Sequence, residues 1–204
     1  MILIGRYLSP FVRRVATTLE LYELPFEHNP LQHTGDDAPK LRQQNPVGRV
    51  PALVLDDERI LVDSHTIIDY LDRHVGAEKS LTPTDGEARD RVLNICGIAC
   101  GAVEKAIATV YEARFRPKEM RHAPWVERCT EQAIGGFSHL ENELTGDWFA
   151  GDAMTQADVT SAITMQFVSL AAPKIKEAME TPKLDALVER MMQNPNYAKT
   201  LPST

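Results

Sequence analysis

Hydroxyl- and acid-bearing residues in the first third of the chain have the surroundings that chemistry needs. Ser9 stands directly before Pro10, and Val12, Val15, Ala16, Leu19 and Tyr22 then recur at helical spacing. Serine is favoured at the N-cap and proline at the first helical position, which puts Ser9 at a helix N-terminus. Asp63-Ser64 precedes Ile67, Ile68, Leu71 and Val75, again at helical spacing, and marks a second N-terminus. Between them Pro46 and Gly48 are turn residues, and Val50-Pro51 leads into Ala52-Leu53-Val54-Leu55, a run of strand composition. A proline cannot donate to a strand ladder, so Pro51 belongs at the first residue of its strand, where the flanking backbone stays free to bind something else. A free strand edge beside a helix N-terminus suits a small, extended, anionic ligand.

The elements that must position these residues follow from periodicity. Ile2-Leu3-Ile4 is a short apolar strand ended by Gly5, and the helix after Ser9 runs to about Leu24, where Pro25 stops it. Phe26 to Asn29 forms a second strand, parallel to the first because a helix connects them, and the unit is expected to be right-handed. Pro30 to Gln44 is polar and irregular, with one short helix. Ala52-Leu55 and Ile60-Val62 flank Asp56-Asp57-Glu58 as an antiparallel hairpin, and the helix after Ser64 ends at Gly76. Lys79 to Asp85 is a linker, with Thr84 and Glu87 spaced as a capping box. From there the helical period dominates. One long helix carries Val92, Ile95, Cys96, Ala99, Val103, Ile107 and Val110; others run from Val126 to Leu144, from Thr155 to Leu170, and through Leu184, Leu187, Val188 and Met191. The fold class is thus an α/β N-terminal domain of βαβ-ββα order, which is thioredoxin-like, followed by an all-α C-terminal domain, with boundaries at 1–78 and 86–204.

The chain has 204 residues, 43% of them hydrophobic and 25% charged, an ordinary globular balance with room for two small cores. The net charge of -7 and the lack of a basic stripe exclude nucleic acid as an expected partner. Met1 to Ile4 is too short for a signal-peptide core, and no apolar run is expected to span a membrane. The odd count of 3 cysteines, all in helical patterns, argues against a disulfide framework and makes the cytoplasm the default location.

Val50-Pro51 followed by Asp63-Ser64 resembles the glutathione-binding half of the cytosolic glutathione transferases, and Ser9-Pro10-Phe11-Val12-Arg13-Arg14-Val15 resembles the bacterial and plant members that use serine. The resemblance covers essentially the whole chain. It implies a cis proline at position 51, a Val50 backbone paired with the cysteine residue of glutathione, and a γ-glutamyl end held by Asp63 and Ser64. It implies that Ser9 is catalytic: an exposed helix N-terminus plus a hydroxyl donor favours a bound thiolate over a thiol. Glutathione is then a co-substrate with no metal involved, its thiolate attacks a hydrophobic electrophile, and the protein is a homodimer.

Further positions are weighed beside these. Arg49 stands just before Val50 and either reaches the ligand or is solvated. Lys40, Arg42 and His33 are possible partners for the glycine carboxylate, each taken alone more readily read as a surface residue. Phe11, with Tyr111, Arg114 and Phe115 at the end of the long helix, is assigned to the electrophile pocket by the resemblance; for the long-helix group, aromatic packing at a helix end is the plain alternative. Cys96 and Cys100 are four residues apart, but no further metal ligand is in sequence reach, and His65, His74 and His139 show no ligand pattern. Thr155-Gln156-Ala157-Asp158 is a variant capping box, read as a folding element. Two alternative functions stay open: a non-catalytic glutathione-binding or interaction module, and glutathione-dependent reduction of peroxides or disulfides.

Overall fold

Residues 1–202 are described by the computed structural model. The chain forms two compact units: Met1–Thr84 together with Met191–Thr204, and Asp85–Arg190. In the first unit the strands are short because only a few residues alternate before a turn intervenes. They are β1 (Ile2–Ile4), β2 (Glu27–Asn29), β3 (Ala52–Val54) and β4 (Ile60–Val62), in the order β2-β1-β3-β4. β1 pairs parallel with β2 across the helical crossover α1 (Pro10–Leu21). β1 pairs antiparallel with β3, and β3 with β4, in registers Ile4↔Ala52 and Ala52↔Val62.

The sheet buries both faces. Leu3 and Leu53 point into one core with Val12, Val15 and Leu19 of α1 and Ile67 and Leu71 of α3 (Ser64–Val75). Ile4 and Ala52 point the other way, against Leu41 of the short α2 (Ala38–Gln44). That alternation is what a pleated strand with period two produces when helices cover both sides.

The first helix ends at Leu21, earlier than the expected Leu24. The backbone supplies its own stop before Pro25 is reached: Leu24 N–H donates to Leu19 O and Glu23 N–H to Glu20 O, with Glu23 at φ 55. This is the Schellman pattern, usually built on glycine.

The second unit is helical. α4 (Gly86–Phe115) packs against α5 (Ala123–Glu143) and α6 (Gln156–Ala171), followed by α7 (Pro173–Glu177) and α8 (Pro182–Met192), whose last residues fall in the first unit. The chain closes with α9 (Pro195–Ala198), which packs on α1 within the first unit. Gly136 lets α4 and α5 approach closely, since a Cβ there would lie 2.6 Å from that of Ala102. The capping box expected from Thr84 and Glu87 does not form. Asp85 is the N-cap of α4 and makes no side-chain cap bond, because Gly86 at φ +71 turns the chain between Thr84 and the helix. α4 is also long and apolar enough to cross a membrane by length and composition, contrary to the expectation that no such run exists. Its buried positions Val92, Ile95, Cys96, Ala99 and Val103 are spaced along one stripe, which a core helix flanked by two others requires.

Candidate functional site

The first unit brings the separated motifs to one end of the sheet; β3, which follows Pro51, is an interior strand paired with β1 and β4, not the free edge expected from the sequence, because β1 takes its other side. Ala52 and Val62 are paired at that end, with Val50-Pro51 immediately before Ala52 in the chain and Asp63-Ser64 immediately after Val62. The Val50–Pro51 peptide bond is cis. It is delivered by a turn that Asn45 closes three ways: Oδ1 accepts from Val47 N–H at 3.0 Å, Nδ2 donates to Arg49 O at 2.8 Å, and the Asn45 carbonyl accepts from Gly48 N–H at 2.8 Å. Asn45 is 4% exposed, and a buried amide satisfied by its own loop rigidifies that loop.

Gly5 ties this corner to α1. At φ +123 it occupies backbone that side chains rarely adopt, and a Cβ there would sit 2.5 Å from Val12 Cγ2 and 2.8 Å from Val50 Cβ. The end of β1, the first turn of α1 and Val50 therefore meet where only glycine fits.

Ser9 caps α1 with extended backbone (φ -72, ψ 122), and its Oγ accepts from Val12 N–H at a long 3.4 Å. The half-buried side chain keeps its hydroxyl hydrogen available, since no acceptor for it lies among the described residues. Around it stand the α1 N-terminus and no acidic residue in the first turn. Such a place favours a bound anion.

Asp63 caps α3 through Oδ1, which accepts from His65 N–H at 2.9 Å. Its backbone is at φ 68, ψ 134, a conformation that costs of the order of 1–3 kcal/mol for a non-glycine residue and recurs at functional sites. Asp63 is exposed, whereas Ser64 is 1% exposed and accepts from Arg14 Nη1 at 3.2 Å. The hydrogen bonds at this end of the sheet thus leave a carboxylate facing solvent beside a recessed hydroxyl.

The remaining predicted residues are placed as follows. Arg49 is exposed beside Val50. Lys40 is exposed on α2 and pairs with Asp37 at 3.7 Å, Arg42 is exposed on the same helix, and His33 is exposed in the preceding loop. Phe11 is half-buried in the first turn of α1. In the second unit Tyr111 and Phe115 make an edge-to-face pair with centroids 5.2 Å apart, and the Arg114 guanidinium lies 5.7 Å from the Phe115 ring. Both rings are largely exposed, 43% and 50%. Tyr7, the hydroxyl nearest Ser9 in sequence, stacks on His28 at 4.0 Å and lines a separate cleft of about 530 Å³ with Phe26, Glu20 and Lys199. Burial, and secondarily the Glu20 charge, hold its phenol above the ordinary range. Cys96 and Cys100 are buried, Cys96 donating to Thr160 Oγ1 at 3.5 Å, and no cluster able to hold a metal lies among the described residues.

Sequence reasoning passed over Gly5, Asn45, Arg13 and Arg14 as parts of the site. The arginines carried one signal: two cations follow each other early in a helix, at 3% and 2% exposure, where the dipole disfavours positive charge. Arg13 stacks over Tyr197 of α9 at 4.7 Å, and Arg14 turns to Ser64.

Comparison with known proteins agrees with this architecture. The family model described as the glutathione S-transferase N-terminal domain matches residues 3–79, and that of the C-terminal domain matches residues 102–203. Glutathione S-transferase 1 of Manduca sexta is 31% identical, over 94% of this chain and 87% of its own. The uncharacterized GST-like protein YibF of Escherichia coli K12 is 27% identical, over 99% and 98%. Among solved structures, a glutathione transferase family member from Pseudomonas fluorescens Pf-5 with bound glutathione superposes with a TM-score of 0.88 at 27% identity, covering 100% of this chain and 99% of that one. A glutathione S-transferase from Methylobacterium radiotolerans in complex with glutathione sulfonate gives 0.91 at 25%, covering 100% and 95%. With both halves of the chain matched by the family's domains and the whole of it by the family's structures, this protein belongs to the glutathione S-transferases.

Proposed function

We propose that the protein conjugates glutathione to electrophilic small molecules and that Ser9 stabilises the attacking thiolate. The observation that carries the proposal is the convergence of cis Val50–Pro51, the Ser9-capped start of α1 and the Asp63-Ser64 start of α3 at one end of the sheet. In this reading the tripeptide lies across that end of the sheet. The Val50 backbone pairs with its cysteine residue, Asp63 meets the γ-glutamyl ammonium, and Ser64 meets the carboxylate through its hydroxyl and backbone N–H. Pro51 sets the direction of the Val50 carbonyl, and Arg49, Lys40 and His33 serve the glycine carboxylate.

The chemistry needs no general base. A free thiol has a pKa of about 8.5, and each unit of lowering corresponds to about 1.36 kcal/mol. The α1 N-terminus and the Ser9 hydroxyl supply donors where the sulfur charge develops, so one or two units of lowering ionise much of the bound thiol at neutral pH. The thiolate then attacks an electrophilic carbon, the C–S bond forms as the leaving group departs with its electron pair, and the conjugate dissociates. Phe11, Tyr111, Arg114 and Phe115 are assigned to the electrophile. The domains are taken as 1–78 and 86–204, the active form as a cytoplasmic homodimer, and the role as detoxification. The glutathione-bound relatives support the choice of co-substrate.

Two assays on the purified protein test this together: titration calorimetry with glutathione, and turnover with glutathione plus an activated aryl halide. Binding with conjugate formation is expected. Binding without turnover would favour a glutathione-binding module, and reduction of a peroxide in place of conjugation would reassign the reaction.

A further inference from the structure

Arg14 lies in the second turn of α1 and is 2% exposed, yet its Nη1 crosses to α3 and donates to Ser64 Oγ at 3.2 Å. A guanidinium carries donors only, so the Ser64 oxygen is the acceptor of this pair and its own hydrogen must point elsewhere. No acceptor for that hydrogen lies among the described residues, and Ser64 is 1% exposed. A recessed donor without an acceptor is costly, and a carboxylate, which only accepts, removes that cost.

We infer that Arg14 is a positioning residue for the γ-glutamyl carboxylate: it occupies the acceptor side of Ser64 and fixes the hydroxyl as a donor toward the ligand. The inference rests on the proposed role of Asp63-Ser64. The adjacent Arg13 is an internal control, because it faces Tyr197 and makes no bond to Ser64.

The test is calorimetric titration of wild type, Ser64→Ala, Arg14→Gln, the double variant and Arg13→Gln. Two ligands are used: glutathione, and its analogue with the γ-glutamyl α-carboxylate converted to an amide. Arg14→Gln is expected to weaken glutathione by about tenfold, the scale of a charge-assisted hydrogen bond. It should weaken the amide analogue less, because the amide oxygen still accepts from Ser64 but carries no charge, and add little on top of Ser64→Ala, since the two residues act through one bond. Arg13→Gln should not discriminate between the ligands. Equal losses on both ligands, or additive losses in the double variant, overturn the inference and make Arg14 a structural residue. If wild type binds glutathione but Ser64→Ala is neutral, the Ser64 assignment falls and the inference with it; if wild type does not bind at all, the functional reading itself falls. Should Arg14→Gln fail to fold, the side-chain nitrogen resonances of Arg14 in ¹⁵N-labelled wild type decide. Their proton exchange should slow more on adding glutathione than on adding the amide, and the same response to both ligands overturns the inference.

Discussion

At the scale of single residues, the site depends on groups whose value lies in what they leave open. Ser9 and Ser64 each accept one hydrogen bond from the protein, which leaves their hydrogens for a ligand. Gly5 leaves room: Val12 and Val50 stand against the place where a side chain would begin. Gly5→Ala is therefore expected to act twice. Overpacking costs about 1–3 kcal/mol, and the φ of +123 adds strain that only glycine escapes. Thermal unfolding should show a lowered midpoint, and calorimetry on the folded fraction should show weaker glutathione binding, because Val50 must move. Unchanged binding would mean that the Val50 corner does not need this contact. Gly5 read in the sequence only as a strand end, and Asn45 only as the neighbour of the turn residues Pro46 and Gly48. Their importance comes from which atoms face them across the fold, and no local spacing encodes that. Ser9, Val50-Pro51 and Asp63-Ser64 were legible because each carries a local backbone signature: a cap before proline, a proline at a strand start, a cap before a periodic run.

At the scale of elements, the caps divide into those assigned to the proposed ligand and those that serve the fold. The Thr155-Asp158 box is the second kind. Buried Asp158 accepts from Thr155 N–H at 2.7 Å, from its hydroxyl at 2.8 Å, and from Phe149 N–H at 2.9 Å. Asp158→Ala loses the cap, about 0.5–2 kcal/mol, and strands the Phe149 donor, a further 1–3 kcal/mol or so. The melting temperature should fall while glutathione affinity of the folded protein stays near that of wild type; an unchanged melting temperature would remove this reading. The long helices were legible from their 3.6-residue period, which α4, α5 and α6 sustain over several turns. α7 and α9 span 5 and 4 residues, too few for a period to show, so the segment that folds back on α1 was missed. The Thr84-Glu87 box was misread for a related reason: its spacing fits, but Gly86 decides the backbone path.

At the scale of the whole molecule, stability carries a titration unrelated to the proposed chemistry. Asp72 of α3 is 6% exposed and accepts from the Tyr22 hydroxyl, which itself accepts from Leu81 N–H at 2.7 Å. Burial raises the Asp72 carboxyl above its ordinary value, outweighing the Tyr22 hydrogen bond that lowers it. Between the ordinary and the raised value the folded chain keeps a proton that the unfolded chain has released, so this contribution falls as pH rises. It is complete below the ordinary carboxylate pKa and lost once pH passes the raised one. Asp72→Asn keeps an acceptor for Tyr22 and removes the titration. Denaturant unfolding across that acidic window should therefore show wild type losing stability relative to the variant as pH rises, and a constant difference would contradict the assignment. The central claim concerns sulfur. With glutathione bound, ultraviolet thiolate absorbance is followed against pH in wild type and in Ser9→Ala. The account predicts a bound-thiol pKa one to two units higher in the variant, about 1.4–2.7 kcal/mol, with turnover at neutral pH down about ten- to a hundredfold and part of it returning as pH rises. Titration curves that coincide, with equal turnover, would reduce Ser9 to a helix cap and contradict the account.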